Sequence, residues 1–151
     1  MNFTKWFIIF LVINFGGLAI GSWLMNSGPQ SEWYLSLNKA PWTPAGLVFG
    51  IAWTTIMMCF SIYMAVLYLK IPSLEVIALF ALQFILNVIW NFIFFNQHLI
   101  ALGFIVIVLL TLLVFYFYFK FNTLKAKYLL LPYMIWLCLA TSLNVYILLY
   151  N

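Results

Sequence analysis

Residues 99–119 read LIALGFIVIVLLTLLVFYFYF, an apolar stretch in which only Thr111, Tyr116 and Tyr118 carry polar side-chain atoms. An α-helix needs about 20 consecutive apolar residues to cross the hydrocarbon core of a bilayer, which is about 30 Å thick. Lipid offers no hydrogen-bond partners to backbone groups, so a crossing segment outside a closed barrel must be helical. The stretch therefore predicts a transmembrane helix.

Four more apolar runs of similar length accompany this stretch, and together they predict the fold. The predicted spans are residues 5–25, 44–69, 74–95, 99–121 and 127–150. Charged residues make up 5% of the chain, against about 25% in a soluble domain. The sequence therefore predicts an all-α protein, a five-transmembrane-helix bundle that forms a single integral membrane domain over residues 1–151.

The connections between the spans predict how the helices are arranged. Most connections are short, which favours an up-down bundle in which consecutive helices are neighbours. Thr43 and Ser73 precede the second and third spans and are expected to act as N-caps. The long connection, residues 26–43, is expected to form an outer lid loop between the first two helices.

The lysine distribution predicts the orientation in the cell membrane. The chain has six Lys residues and no Arg. With five spans, one side carries Lys5, Lys70, Lys120, Lys125 and Lys127, and the other carries Lys39 alone. Positive residues concentrate on the cytoplasmic side of membrane proteins, so we expect the N-terminus inside and the C-terminus and lid loop outside. The lysines are thus interpreted as topology signals, and no nucleic-acid partner is expected.

Polar and aromatic side chains from three spans reach similar depths beneath the lid loop. At about 1.5 Å per residue, Trp53 lies about 14 Å, Asn87 about 12 Å and Asn144 about 9 Å from the outer ends of their helices. Polar side chains in lipid usually face other protein segments or a cavity. A ligand pocket is the favoured interpretation, and hydrogen bonding between helices is the alternative for any single Asn.

Glycine spacing and missing residue types complete the prediction. Gly17-x-x-x-Gly21 and Gly46-x-x-x-Gly50 favour close helix packing within the monomer, with dimerisation as the alternative. No Asp, Glu, Lys, Arg or His lies in the middle of a predicted span, and His98 is expected to be solvated in a short outer turn. No metal site, required cofactor or ordinary acid–base catalyst is therefore expected.

Three motifs carry a resemblance to a known family. The lid loop contains WYxxLxKxPWTP over residues 33–44, followed by Gly50 and Trp53 in the second span. The third span contains QxxxNxxWNxxFF over 83–95, and the fifth span contains PYxxWxxxATxxN over 132–144. With these motifs in this order on five spans, the chain resembles the TspO/MBR family. This family contains the tryptophan-rich sensory proteins and the mitochondrial translocator proteins, also called peripheral benzodiazepine receptors.

The resemblance implies a bundle, commonly a homodimer, with a ligand pocket closed by the first loop. Ligands of the family include porphyrins and haem, sterols in mitochondrial members, and synthetic isoquinoline and benzodiazepine compounds. The motif positions that match the family pocket are Trp33, Tyr34, Trp42, Pro44, Trp53, Asn87, Trp90, Asn91, Trp136, Ala140, Thr141 and Asn144. Lys39 is a candidate partner for a ligand carboxylate.

The chain departs from the family pattern at two places. Ala40 and Ala45 stand where the loop motif commonly has proline, which predicts a less rigid lid because proline restricts the unordered chain. The sterol pattern requires Lys or Arg soon after a Tyr, and Tyr146 has neither following it. Tetrapyrrole binding is therefore favoured over sterol binding.

The leading functional hypothesis is a membrane receptor or sensor that binds porphyrin-type tetrapyrroles, such as protoporphyrin and haem, and other hydrophobic ligands. One alternative is light-dependent porphyrin breakdown with Trp53 as the redox partner. Trp136 is less suited to that role because it lies about 21 Å from the outer end of its helix. The other alternative is facilitated transport of tetrapyrroles or lipids.

The orientation can be tested with single cysteines introduced at Asn38 and Thr123 in a background that lacks Cys59 and Cys138. We expect a membrane-impermeant thiol reagent to label position 38 and not position 123 on intact cells, because the five-lysine side should be cytoplasmic. Labelling of position 123 but not position 38 would reverse the orientation. Permeabilised cells, in which both positions should react, provide the control.

Overall fold

Five long helices and one short helix make up the fold in the computed structural model, which describes residues 2–151. The helices are α1 (Phe3–Leu24), α2 (Glu32–Ser36), α3 (Gly46–Lys70), α4 (Leu74–Asn91), α5 (Ile100–Lys120) and α6 (Leu131–Tyr150). All of them except α2 belong to segments long and apolar enough to cross a membrane. The all-α class and the five predicted spans are therefore confirmed.

The helix ends agree with the sequence at one predicted cap and differ at the other. The Ser73 hydroxyl accepts a hydrogen bond from the Val76 N–H at 3.3 Å and caps α4. The Thr43 prediction was wrong, because its hydroxyl donates instead to the Ala40 carbonyl at 2.6 Å. That bond keeps Thr43 in a turn of the lid loop, and α3 begins only at Gly46.

Two irregular helical turns extend the spans. A π turn, Phe92–Asn96, continues α4 and brings both Phe94 and Phe95 into buried positions. A wider turn of this kind shifts the phase of the side chains that follow it. At the other end of the bundle, the 3₁₀ turn Lys125–Leu130 leads into α6, which has Pro132 in its first turn.

The order of helices around the bundle corrects the prediction that all consecutive helices are neighbours. Contacts between helices give the ring α1, α3, α6, α5, α4 and back to α1. The helices α3 and α4 follow each other in sequence, but α1 lies between them in this ring. Asn14 on α1 donates to the Ser61 hydroxyl on α3 at 2.9 Å, and Trp6 meets Tyr68 with ring centroids 4.5 Å apart. These contacts fix α1 against α3 in the half of the bundle away from the lid loop.

The two glycine pairs have different surroundings. A Cβ atom placed on Gly17 would lie 2.8 Å from the Phe84 ring, and one on Gly21 would lie 2.6 Å from the Asn91 amide nitrogen. The first pair therefore permits α1 to approach α4 closely, as predicted. A Cβ atom on Gly46 or Gly50 would meet nothing within 4 Å. Close packing within the monomer was therefore a wrong prediction for the second pair, and dimerisation there stays a prediction.

Replacing Gly17 with Leu should destabilise the protein, whereas Gly16→Leu should not. Both changes add the same side chain to neighbouring positions of α1, but a Cβ atom on Gly16 has no neighbour within 4 Å. Overpacking against Phe84 should cost about 1–3 kcal/mol. Thermal unfolding of the detergent-solubilised variants measures this difference in stability. Equal unfolding midpoints for the two variants would contradict the close approach of α1 and α4.

Candidate functional site

A cavity of about 840 Å³ lies between the long helices and the lid loop. Ligand pockets usually measure about 300–1,000 Å³. All five long helices and the lid loop contribute to its wall. Of the residues predicted for the site, the wall contains Tyr34, Lys39, Pro44, Trp53, Asn87, Trp90, Asn91, Trp136 and Ala140. The half of the bundle that contains the cavity is the lid half.

One side of the cavity is aromatic. Trp53 on α3 and Trp136 on α6 face each other edge to face, with ring centroids 6.5 Å apart, and Phe49 packs against Trp136 at 5.1 Å. Counting residues from the helix ends placed Trp136 deeper than Trp53, and the structure shows that both residues line the cavity. Because α3 and α6 are adjacent in the ring, the two indoles form one surface of the wall.

Asparagine side chains and a third indole form the polar part of the wall. Asn87 is buried, and the Asn91 amide donates to the Asn87 carbonyl at 3.1 Å. Trp90 donates its indole N–H to the side-chain oxygen of Asn144 at 3.3 Å. Asn144 in turn donates to the Ala140 carbonyl at 2.8 Å. Asn144 therefore lies behind Trp90 and orients its ring rather than lining the cavity.

Three other predicted site residues fix helices and the lid loop instead of lining the cavity. The Thr141 hydroxyl lies 3.1 Å from the Thr111 hydroxyl and joins α6 to α5. Trp42 donates its indole N–H to the Ser142 hydroxyl at 3.1 Å. Trp33 stacks on the exposed His98 ring, with centroids 4.0 Å apart. The lid loop is therefore attached to α6 through Trp42 and to the α4–α5 turn through Trp33.

A third attachment of the lid loop was missed from the sequence. The backbone N–H of Asn38 donates to the Asn151 side chain at 2.9 Å, and the Asn38 side chain donates to the Tyr150 carbonyl at 3.0 Å. Asn151 also donates to the Asn38 carbonyl at 3.1 Å. No sequence motif pairs these residues, which are 113 positions apart.

Lys39 has a structural role within the lid loop in addition to lining the cavity. Its ammonium donates to the carbonyl of Tyr34 at 2.9 Å and to those of Leu35 and Leu37 at 3.4 Å. A cation at the carbonyl end of a helix is favourable, and here it closes α2. The ammonium also lies 4.8 Å from the centre of the Tyr34 ring. Burial raises the pKa of the Tyr34 phenol, which therefore stays neutral and able to donate a hydrogen bond.

Several wall residues gave no signal in the sequence. Phe49, Ile107 and Leu110 line the cavity beside the predicted residues. Apolar residues are present throughout the spans, and hydropathy does not distinguish one that faces a cavity from one that faces lipid. Their positions depend on the ring order of the helices, which the sequence did not reveal.

Comparisons with known proteins agree with this architecture. The family model of the TspO/MBR family matches residues 8–150. The tryptophan-rich sensory protein of Cereibacter sphaeroides is 34% identical, over 75% of this chain and 73% of its own length. The tryptophan-rich protein TspO of Archaeoglobus fulgidus is 32% identical, over 100% of this chain and 99% of its own length.

A third relative, the protein CrtK of Rhodobacter capsulatus, is 34% identical over 74% of both chains. The family match covers nearly the whole chain and reaches into all five segments that can span a membrane. On these grounds this integral membrane protein belongs to the TspO/MBR family of tryptophan-rich sensory proteins.

Proposed function

We propose that this protein is a membrane receptor or sensor that binds a porphyrin-type tetrapyrrole in the cavity beneath the lid loop. The observation that carries the proposal is the wall of the cavity of about 840 Å³, which contains the indoles of Trp53 and Trp136 together with Asn87 and Asn91 of α4. A tetrapyrrole has a flat apolar macrocycle and charged carboxylates at one edge, so it needs both kinds of surface.

The aromatic side of the wall suits the macrocycle. Contact between aromatic rings contributes about 0.5–1.5 kcal/mol beyond the burial of apolar area. Trp53 and Trp136 are held by further ring contacts, since Trp53 also lies 6.0 Å from Tyr133 and Trp136 lies 5.1 Å from Phe49. Rings that are already fixed lose little freedom when a ligand binds, which favours affinity.

The polar part of the wall suits the carboxylate edge. Amide N–H groups donate to carboxylates, and a hydrogen bond in which one partner is charged is about twice as strong as a neutral one. Lys39 supplies a cation at the lid. Its three N–H groups already face three carbonyls of the lid loop, so a ligand carboxylate has to share or replace one of them. Ligand binding and the conformation of the lid loop would thereby be linked.

Replacing Trp53 or Asn87 with Ala should weaken protoporphyrin binding, whereas Trp23→Ala should not. Loss of a ring contact, or of a buried hydrogen-bond donor to the ligand, should reduce the binding free energy by about 1–3 kcal/mol. Trp23 is a matched control because it is 77% exposed and does not line the cavity. Absorbance titration in darkness measures all affinities without relying on tryptophan fluorescence.

Equal affinities for folded Trp53→Ala, Asn87→Ala and Trp23→Ala proteins would remove the support for this cavity as the binding site. A loss of protoporphyrin affinity in Trp23→Ala alone would place the ligand on the lipid-facing surface of α1. Circular dichroism of each variant shows that a loss of binding does not reflect unfolding.

Light-dependent porphyrin breakdown is a second candidate function, because two indoles lie 6.5 Å apart in the cavity wall. Among the described residues that line the cavity there is no carboxylate, His or Cys side chain. The bound pigment would have to supply the excited state, since cofactors usually carry the difficult chemistry. The protein would position the pigment beside an oxidisable ring.

Any conversion of bound protoporphyrin should require both light and oxygen, and it should slow in Trp53→Phe because phenylalanine is harder to oxidise than tryptophan. Absorbance spectra recorded during illumination of the complex follow the pigment. The same spectra in darkness, or under argon, provide the controls. Rapid conversion to one product at an unchanged rate in Trp53→Phe would show that Trp53 is not the redox partner.

A further inference from the structure

One face of α3 is directed toward α1 along most of the helix. Gly50, Thr54, Ser61 and Tyr68 recur at spacings of four and seven residues, which keep them on one side of a helix. Away from the lid loop this face is closed, because Ser61 accepts a hydrogen bond from Asn14 and Tyr68 packs against Trp6. The helices α1 and α3 are therefore in direct contact in that half.

In the lid half the same face of α3 is open. A Cβ atom on Gly50 would meet nothing within 4 Å. Gly50 and Thr54 are exposed and also line the cavity. The Thr54 hydroxyl turns back to the Gly50 carbonyl at 2.8 Å, so it does not bridge to α1. On the α1 side of the gap, Leu18 and the exposed Ser22 line the same cavity.

The gap has a physical cause in the packing of α1. Gly17 and Gly21 let the lid half of α1 lie against Phe84 and Asn91 of α4. On the α3 side of this half, Gly50 presents no side chain and the Thr54 hydroxyl is bonded within its own helix. The absence of a side chain at Gly50 leaves the resulting space unfilled.

The gap lies at the depth of the hydrocarbon core. Gly50 is about 6 Å and Thr54 about 12 Å from the lid end of α3. Half of a hydrocarbon core is about 15 Å thick. Exposed apolar residues, Leu47, Ile51 and Met58, flank this part of α3 on its lipid-facing side.

We infer that the gap between α1 and α3 is a lateral opening through which a lipid-dissolved ligand enters the cavity. The route avoids the lid loop, which is fastened to α6 by Trp42, Asn38 and Asn151. The identity of the tetrapyrrole rests on the proposed function, but the opening does not. The substrate class that the opening favours is a flat, apolar molecule that partitions into the lid-side leaflet.

The opening can be tested without any tetrapyrrole. A lipid-soluble aryl diazirine, activated by light in liposomes that contain the protein, labels side chains that it can reach. We expect it to label Trp53, Asn87 and Trp90 in the unchanged protein. Labelling at these positions should fall about tenfold in Gly50→Phe and in Thr54→Phe, which place a ring in the gap. Gly16→Phe is the matched control, because Gly16 also has open space and does not line the cavity.

Labelling of the cavity wall that is unchanged in both Gly50→Phe and Thr54→Phe would overturn the inference. An unlabelled wall in the unchanged protein would also overturn it and would point to a second copy of the chain, or another segment, covering Gly46 and Gly50. Lipid-facing Ile51 should be labelled in every variant and reports that the probe is present. Either folded variant is sufficient for the comparison.

Binding kinetics of protoporphyrin delivered from liposomes provide the second readout. A blocked route should lower the association and dissociation rates together, each by about tenfold. If the introduced ring fills the binding site itself, the association rate should fall and the dissociation rate should rise. That result would contradict the inference. If the unchanged protein does not bind protoporphyrin while the diazirine results hold, the proposed function fails and the opening stands.

Discussion

The close approach of α1 to α4 at Gly17 and Gly21 is the packing constraint on which the rest of the structure depends. In a bilayer the apolar face of a helix gains little by leaving lipid, so tight van der Waals packing and hydrogen bonds decide which helices touch. At these glycines Phe84 and Asn91 occupy the space that a side chain would fill. In the ring, α1 lies between α3 and α4, and α3 packs mainly against α1 and α6. It reaches α4 through Phe60, whose ring centroid lies 6.0 Å from that of Phe80. The cavity lies between the five long helices in the lid half, and Trp53 meets Trp136 because α3 and α6 are adjacent.

The lid loop adds a second level of organisation above this helix ring. Its tryptophans act as anchors: Trp42 bonds to Ser142 of α6, and Trp33 stacks on His98. The hydrogen bonds between Asn38 and the end of α6 reinforce the first of these anchors. Exposed hydrogen bonds of this kind contribute only about 0.5–1.5 kcal/mol each, so several anchors together hold the lid loop on the bundle. Lys39 links the lid conformation to the cavity, because its ammonium closes α2 and also lines the wall.

Sequence reasoning located the spans because hydropathy over about 20 residues is decisive for a bilayer. It could not predict which helices are neighbours. A Gly-x-x-x-Gly pattern indicates that another helix can approach closely, but it does not identify that helix. Gly17 and Gly46 illustrate this, as they open identical motifs with opposite surroundings. Counting along α3 and α6 likewise did not reveal the edge-to-face contact of Trp53 with Trp136, because distances along two helices are comparable only when their relative position is known. The motifs also did not show which of their residues line the cavity. Asn87 lies in the cavity wall, whereas Asn144 lies behind Trp90 and bonds to its indole N–H.

The central claim is that the cavity beneath the lid loop holds the tetrapyrrole. The most direct measurement is an experimental structure of the protein saturated with protoporphyrin in darkness. The expected result is density for one macrocycle inside the cavity, within about 4 Å of the Trp53 and Trp136 rings, with its carboxylates directed toward Asn87, Asn91 or Lys39. Density confined to the lipid-facing surface of the helices, with the cavity unchanged, would contradict the claim.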